Sequence, residues 1–401
     1  MRATDTAGCV PNLWDRRLTI SVDRGDVKPL RQERLADGGV SVLIAVNRAG
    51  ITRIALNEAG EAGRGESATI SVAPTPWTRV RSGTALLSAG EAGTWDDRDV
   101  GQPSVIHVDA RTGAAISDRL VMYYRGRSEA DGAATAIGVA LSQDGLTWQR
   151  ARDTPALPAE RTADGGVLAF SEPSVLEVDD GYRMWAVGAQ GTEVAIHHAQ
   201  GVDGLAWGRR APNPVLEATA GGRWTERFVF APTVTRADGI FEVWYAALTD
   251  EEETGLGYAA SEDGLQWAKS DNNPILSTLA AAWDRIGVDK PAVLLHGGVY
   301  RMWYTGDSGP DPATPQGPTR WSIGYATSTD GVTWERHGND PVLSPTGRAG
   351  DFDRGRVGNP AVVLLPSPLY ADLSEPWLFY DGFDGRSWAI GAARPDYDAE
   401  P

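Results

Sequence analysis

Five residues that directly precede a proline recur along the chain, and most of them carry polar side chains. They occur in the segments GQPSV, SEPSV, FAPTV, DKPAV and GNPAV, at Gln102, Glu172, Ala231, Lys290 and Asn359. The carboxylic acid of Glu172 and the amine of Lys290 can exchange protons with a substrate, and a second carboxylic acid, Asp289, stands next to Lys290. If the fold brings these positions together, they predict acid–base chemistry.

Lys290 is itself an unusual choice, because only three of the 37 basic residues are lysines. A lysine carries a compact charge on a flexible stem, whereas an arginine carries a broad planar fork. We therefore expect Lys290 where a compact charge is needed, either against Glu172 or against a substrate oxygen.

The five prolines head a repeat whose successive spacings are 70, 59, 59 and 69 residues. Each proline is followed by an aromatic run such as YRMWYTG and a run of small residues such as SIGYATS. In the first four repeats a hairpin such as STDGVTW then follows. The Asp-Gly pairs supply the positive φ angles of tight hairpins. Four strands at this spacing are typical of a propeller blade. The chain is predicted to be all-β, a five-bladed β-propeller whose first strands start near 102, 172, 231, 290 and 359.

The fifth repeat lacks its last strand, and the N-terminal part of the chain supplies a matching segment. PWTRV at 76–80 carries Trp77 and Arg79, as the outer strands of other repeats carry a tryptophan and an arginine. We predict that this segment closes the last blade and removes an exposed sheet edge. The predicted domains are a β-rich extension at 1–66 and the propeller at 67–401. A sixth, divergent blade is the alternative for the extension.

Strand order predicts one face on which a site can form, at the mouth of the central channel. Because side chains alternate along a strand, the residues before and after each proline should both face the channel. The residues after the prolines are small, as a narrow channel requires: Ser104, Ser174, Thr233, Ala292 and Ala361. Lys290 is then predicted to lie across from Glu172. The alternative is that the two merely satisfy each other as an ion pair.

Loops and connectors on the same face add further candidates. Asp99 is a candidate catalytic carboxylate, beside Glu172, Asp289 and Lys290. The candidate substrate-binding residues are Gln102, Asn359, Arg125, Asp307, Asp381, Arg227, Trp321 and Trp388. The two tryptophans could stack on a sugar or another ring, or simply pack in their loops. The proline-rich loop 306–321 could form a lid.

Composition excludes several classes of partner. The net charge of -17 argues against nucleic acids and anionic membranes. No apolar run is long enough to span a membrane, and the N-terminus has no apolar signal segment, so a cytoplasmic location is expected.

Cys9 is the only cysteine, and no Cys/His cluster has metal-binding spacing. We expect no metal and no cofactor. The partner is expected to be a small molecule containing a sugar or another ring. The sequence does not indicate an oligomeric state.

The repeat, with xPxV, YxMWYxG and IGYATSxDGxxW in order, resembles the five-bladed propeller glycosidases, which include arabinanases, β-xylosidases, invertases and levansucrases. The resemblance covers residues 68–396 and implies three carboxylates at the channel mouth. The position of the family base is occupied by Gln102, and Thr233 stands where the family has an aspartate. A rearranged set drawn from Asp99, Glu172 and Asp289 is therefore one expectation.

Three functions follow from these observations. The leading hypothesis is a glycosidase-like enzyme in which Glu172 is general acid or base and Asp289 or Asp99 is its partner. The second is a non-hydrolytic cyclase, isomerase or lyase of a biosynthetic pathway that uses Glu172 and Lys290. The third is a binding propeller without catalysis.

Overall fold

The structure of the chain is a computed structural model. The described residues are 18–22, 27–34, 40–46, 50–58, 65–72, 77–109, 116, 119–130, 134–210, 212–221, 224–279, 282–296, 298–310, 319–338, 340–366 and 374–395. Every regular element in these residues is a β-strand, so this part of the chain is all-β, as predicted. Within these ranges no helix is long and apolar enough to cross a membrane.

The chain divides into two compact units. The first comprises Met1–Thr75, Ser367–Leu373 and Ala399–Pro401. Its strands are β1 (Leu18–Val22), β2 (Val27–Arg34), β3 (Val40–Val46), β4 (Gly50–Glu58) and β5 (Gly65–Val72). Strands β1, β4 and β5 form one antiparallel sheet, and β2 pairs with β3. The domain boundary predicted at residue 66 falls inside β5, and the N-terminal segment of this unit extends to Thr75.

The second unit, Pro76–Pro366 with Ser374–Asp398, contains the repeats. Sheet 1 consists of β7 (Asp99–Val108), β8 (Arg119–Arg127), β9 (Thr135–Ser142) and β10 (Gln149–Arg150). Sheet 2 consists of β11 (Glu160–Arg161), β12 (Val167–Val178), β13 (Gly181–Gln190), β14 (Glu193–Gly201) and β15 (Gly208–Arg209). Each first long strand carries one of the five prolines, and the outermost strand that follows each Asp-Gly hairpin is short.

The remaining repeats form three more groups of strands. Sheet 3 consists of β16 (Glu226–Ala237), β17 (Ile240–Thr249), β18 (Thr254–Ser261) and β19 (Ala268–Lys269). Sheet 4 consists of β20 (Gly287–His296), β21 (Val299–Asp307), β22 (Trp321–Ser328) and β23 (Glu335–Arg336). One parallel bridge, between Thr254 and Gly287, joins sheets 3 and 4 into a continuous sheet of eight strands. Sheet 5 consists of β24 (Arg356–Pro366), β25 (Ser374–Phe383), β26 (Trp388–Pro395) and β6 (Trp77–Arg79).

Strand β6 comes from the segment that the sequence assigned to the last repeat. Trp77 pairs with Pro395 and Arg79 pairs with Ala393, so that β6 is the outer strand of sheet 5. The first strands of the sheets begin three to five residues before the predicted positions, because pairing extends into the preceding connectors.

Aromatic side chains join each sheet to its neighbour. The tryptophan of every outer-strand segment packs against an aromatic ring in the second strand of the sheet before it. The ring-centroid distances are 5.4 Å for Trp207 and Tyr123, 6.3 Å for Trp267 and Trp185, 6.4 Å for Trp334 and Trp244, 5.7 Å for Trp77 and Trp303, and 5.6 Å for Trp148 and Phe379. The last of these contacts joins sheet 1 to sheet 5. Trp148 and Trp207 are buried, whereas Trp77, Trp267 and Trp334 are partly buried and pack against the core.

A buried ionic cluster recurs in four of the sheets and accounts for the repeated basic residue of the outer strands. In sheet 5, Arg79 Nε lies 2.6 Å from Asp353 Oδ2, and the Tyr380 hydroxyl donates a 2.9 Å hydrogen bond to the same oxygen. The equivalent groups are Asp96, Tyr124 and Arg150 in sheet 1, Glu226, Tyr245 and Lys269 in sheet 3, and Asp284, Tyr304 and Arg336 in sheet 4. This position is structural in each case.

The first testable prediction concerns β6. We expect Arg79→Ala to lower the free energy of unfolding of the second unit by about 3 kcal/mol, because Asp353 is fully buried and would lose its cationic partner. Denaturation in guanidinium chloride measures the effect. The exposed Arg81→Ala variant is the control and should unfold like wild type. Equal stability of the two variants would show that β6 is not anchored through Arg79.

Candidate functional site

A cavity of about 520 Å³ lies between the first strands of the five sheets. Both the pre-proline residues and the residues that follow the prolines line it. The pre-proline residues are Gln102, Glu172, Ala231, Lys290 and Asn359, and the others are Ser104, Ser174, Thr233, Ala292 and Ala361. The structure thus brings together the residues that the repeat predicted to face one channel. The expected reason, regular strand alternation, is wrong.

Instead, all five pre-proline residues adopt the left-handed backbone conformation. Their φ angles are 55°, 52°, 49°, 51° and 49° in chain order. Each lies at a shift in strand register, such as the one between Gly101 and Ser104. A bulge of this kind redirects a side chain. A residue other than glycine held in this region costs about 1–3 kcal/mol, which the surrounding contacts must offset.

Glu172 is the centre of the polar network in the cavity. Its Oε1 accepts hydrogen bonds from Gln102 Nε2 and Lys290 Nζ, each at 3.0 Å. Its Oε2 accepts the backbone N–H of Ala231 at 2.7 Å. Three donors from three different sheets match the acceptor capacity of a carboxylate. Glu172 is thus held in a defined orientation.

Lys290 lies near two aromatic rings as well as near Glu172. Its ammonium lies 5.6 Å from the ring centre of Phe230 and 5.8 Å from that of Trp321. Burial lowers the pKa of Lys290, but the charges of Glu172 and Asp289 outweigh burial and raise the pKa above its ordinary value. Lys290 is therefore a fixed positive charge, with 13% of its side chain exposed.

Asp289 adds a protonatable group beside this ion pair. Burial raises the pKa of Asp289 to about 6, Lys290 opposes the shift, and Glu172 and Asp307 increase it. Its Oδ1 is buried and accepts no hydrogen bond from the residues that the structure describes. A carboxylic acid that titrates near neutral pH can donate a proton and then take one back.

Asp381 and Asn359 form the opposite side of the network. Asp381 is 1% exposed; its Oδ1 accepts the backbone N–H of Gln102 and its Oδ2 accepts Asn359 Nδ2, each at 2.7 Å. Burial raises the pKa of Asp381 to about 7, against the opposing effects of Arg125 and of the hydrogen bonds from Gln102 and Asn359. Asp381 is thus joined to Glu172 through Gln102.

Asp99 lies apart from the cavity lining, in a cluster of arginines. It pairs with Arg125 at 2.7 Å and with Arg127, and Arg98 lies 4.0 Å away. Only 2% of Asp99 is exposed. Asp99 is thus placed to hold Arg125 and Arg127 through ion pairs.

Trp321 and Trp388 lie together next to the network. Their ring centres are 5.6 Å apart, and the guanidinium of Arg356 lies 5.2 Å from that of Trp321. Asp307 accepts a hydrogen bond from Trp321 Nε1 at 3.1 Å, which fixes the indole. Of the proposed lid, residues 311–318 lie outside the described part of the chain.

Arg227 is not brought into the network. It is half exposed, lies 3.8 Å from Glu252 and stacks on Phe228.

Sequence reasoning missed Thr305, whose Oγ1 accepts the N–H of Asn359 at 2.9 Å. It also missed Arg356 and Phe230. Thr305 occupies the same position of the repeat as the predicted candidate Asp381, before the glycine in YTG and YDG, so that alignment with Asp381 could have found Thr305.

The described residues contain no group of three or more His, Cys, Asp and Glu side chains that could hold a metal ion. The cavity lining contributes the Glu172–Lys290 ion pair, and the neighbouring Asp289 and Asp381 are carboxyl groups with raised pKa.

Sequence comparison gives distant relatives. No protein-family model matches the chain. An uncharacterized protein of Mycobacterium tuberculosis (strain CDC 1551) is 28% identical over 235 residues, which are 55% of this chain and 72% of the relative. The β-1,2-mannobiose phosphorylase of Thermoanaerobacter sp. (strain X514) is 28% identical over 125 residues, which are 29% of this chain and 37% of the phosphorylase.

Solved structures show the fold. A glycosyl hydrolase of Bacteroides ovatus superimposes with a TM-score of 0.59 at 14% identity, covering 82% of this chain and 95% of the hydrolase. A thermostable family-43 glycoside hydrolase gives 0.56 at 17% identity, with 79% and 98% covered. A structure from the GH130 family of mannoside phosphorylases, which contains glycoside hydrolases that target β-1,2 mannosidic linkages in Candida mannan, gives 0.58 at 15%, with 80% and 93% covered. In fold, therefore, the chain is a β-propeller of the glycosidase-like type.

Proposed function

We propose that the chain is a glycoside-active enzyme that cleaves a small sugar-containing molecule, such as an oligosaccharide or glycoconjugate, at the cavity. One observation carries the proposal: Asp289, whose pKa is raised to about 6, stands beside the Glu172–Lys290 ion pair and has a buried oxygen without a hydrogen-bond partner among the described residues. Paired carboxyl groups in unequal environments are what glycoside cleavage requires.

In this mechanism Asp289 is the general acid. Its proton passes to the glycosidic oxygen as the bond from that oxygen to the anomeric carbon breaks, and the sugar ring becomes positively charged. The carboxylate of Glu172, oriented by Gln102, Lys290 and the Ala231 N–H, stabilises that charge. A water molecule then attacks the anomeric carbon and gives its proton to the Asp289 carboxylate. Trp321 and Trp388 offer rings near the bound sugar.

The relatives suggest where to look for the substrate. One is a β-1,2-mannobiose phosphorylase, and one structural neighbour comes from a family with hydrolases of β-1,2 mannosidic linkages. β-1,2-linked mannosides are therefore the first compounds to test. Because a phosphorylase uses phosphate where a hydrolase uses water, each compound should be tested with and without inorganic phosphate.

Gln102 favours a second candidate function. It occupies the position at which the propeller glycosidases resembled by this sequence carry their base, and an amide cannot accept a proton usefully. A cyclase, isomerase or lyase that uses the Glu172–Lys290 pair would not need that base. A binding protein without catalysis would show no turnover of any compound.

The test is the turnover of aryl furanosides, aryl pyranosides and β-1,2-mannobiose by wild type and Glu172→Gln at several pH values. We expect the variant to lose about 10²- to 10⁴-fold in kcat/KM, because the neutral amide cannot stabilise the developing charge. The control is Glu262→Gln, a change at an exposed hairpin residue. No cleavage of any glycoside by folded wild type would favour the non-hydrolytic candidate. Equal rates for Glu172→Gln and wild type would contradict the role of Glu172.

We also propose that the five sheets form a closed, five-bladed ring over Pro76–Asp398, with residues 1–75 as a separate β-rich unit. The cyclic series of tryptophan contacts supports this arrangement, since it returns from sheet 5 to sheet 1 through Trp148 and Phe379. The pairing of β6 with β26 supports closure through the N-terminal strand.

A further inference from the structure

Asp381 has two hydrogen-bond partners that belong to different repeats. It lies on β25 of sheet 5, and its Oδ1 accepts the backbone N–H of Gln102, on β7 of sheet 1. Its Oδ2 accepts the side-chain amide of Asn359, on β24. With 1% of its surface exposed, Asp381 is positioned to act on its neighbours rather than on a substrate.

The N–H that Asp381 binds belongs to a left-handed residue, and such a residue needs support. The same type of support appears twice more: Thr305 of sheet 4 accepts the N–H of Asn359, and Glu172 of sheet 2 accepts the N–H of Ala231. In each case an oxygen from one sheet holds the bulge of the next. Asp381, like Glu172, offers a carboxyl oxygen to the N–H, whereas Thr305 offers a hydroxyl oxygen.

The residue before Gln102 is adapted to this contact. A Cβ at Gly101 would lie 2.6 Å from Asp381 Oδ2, so only glycine leaves room for the carboxylate. Beyond the bulge, the Gln102 side chain reaches across to sheet 2 and donates to Glu172 Oε1. A continuous path of hydrogen bonds thus runs from Asp381 through Gln102 to Glu172.

We propose that Asp381 is a positioning residue that holds the Gln102 bulge in its left-handed form and so aims the Gln102 amide at Glu172. The inference rests on the proposed function in one respect: the orientation of Glu172 matters because Glu172 stabilises the transition state. In this view Gln102 has a role of its own at the position of the family base: its side-chain amide fixes the orientation of the Glu172 carboxylate.

Two variants and a control test the proposal. Asp381→Leu has a similar size and removes both acceptor oxygens, so that the Gln102 N–H and the Asn359 amide both lose their partner. The swap Asp381→Asn with Asn359→Asp keeps both hydrogen bonds, because the new amide can accept from the Gln102 N–H and donate to the new carboxylate. Thr305→Val removes the corresponding contact at Asn359 and should leave the Gln102 bulge as it is.

Crystal structures give the first readout and steady-state kinetics the second. In Asp381→Leu we expect Gln102 Nε2 to move beyond about 3.5 Å from Glu172 Oε1. For the best substrate of the panel, kcat should fall about 10- to 100-fold at little-changed KM, and the swap variant should keep both properties near wild type. An unchanged Gln102–Glu172 distance in Asp381→Leu would overturn the proposal.

The structural readout does not depend on finding a substrate, so failure of this proposal and failure of the proposed function are separate results. If Asp381→Leu does not fold, the structure and the kinetics of the swap variant decide the question. A folded swap variant with Gln102 still bonded to Glu172 supports positioning by hydrogen bonding, whereas a folded one with the amide turned away contradicts it. A swap that restores the geometry but not kcat would show that the charge of Asp381 itself is required, which also overturns a purely positioning role.

Discussion

Asp289→Asn is expected to reduce kcat/KM on glycosides with poor leaving groups by about 10²- to 10⁴-fold, because the variant has no proton to give to the departing oxygen. The substitution keeps the size of the side chain and removes only its acidity. Since burial raises the pKa of Asp289 to about 6, wild-type activity should fall as pH rises through about 6, where the acid loses its proton. In the variant this limb of the pH profile should disappear.

The choice of leaving group provides a control within the experiment. A dinitrophenyl glycoside needs little protonation of its leaving oxygen, so that Asp289→Asn should retain much more activity on it than on an alkyl glycoside. The matched control is Asp271→Asn, at an exposed turn residue, which should behave as wild type on both. A uniform loss on both glycosides would assign Asp289 to binding or structure. No loss would exclude it from the reaction.

The sequence indicated the all-β fold and the strand β6 because both follow from local patterns. Asp-Gly hairpins, alternating strands and the recurring tryptophans are short-range signals. Alignment of the repeats also identified the pre-proline residues as site candidates, because this position carries a polar side chain in four of the five repeats. Glu172 and Lys290 could be placed in one network before any distance was known.

The physical cause of that placement could not be read from the sequence. A residue in the left-handed conformation before proline interrupts the alternation of side chains along the strand. No residue in a segment such as SEPSV predicts this conformation. The roles of Asp99 and Asp381 also depended on partners far away in the chain. Asp99 is neutralised by Arg125 and Arg127, whereas Asp381 is buried beneath Gln102. The sequence marked both aspartates as site candidates, but their roles differ because different residues pack against them.

The Glu172–Lys290 pair should be as important for stability as for function. Their side chains are only 11% and 13% exposed, so that Lys290→Met leaves Glu172 as a nearly buried, unpaired charge. We expect Lys290→Met to lower the free energy of unfolding of the second unit by about 3–5 kcal/mol. The double variant Glu172→Gln with Lys290→Met should recover most of that loss, since no lone charge remains, yet it should stay inactive. Guanidinium denaturation and the glycoside panel measure the two effects.

Lys269 provides the matched control, because it is also a lysine paired with a buried glutamate, Glu226, but it belongs to the structural cluster of sheet 3. Lys269→Met should lower stability similarly and leave activity near wild type under conditions where the protein is folded. If Lys290→Met and Lys269→Met had the same effect on both stability and turnover, Lys290 would be one more structural ion pair. A Lys290→Arg variant that is stable but slow would instead show that the position near Phe230 and Trp321 requires a compact charge. That result would explain why a chain that otherwise favours arginine has a lysine at this position.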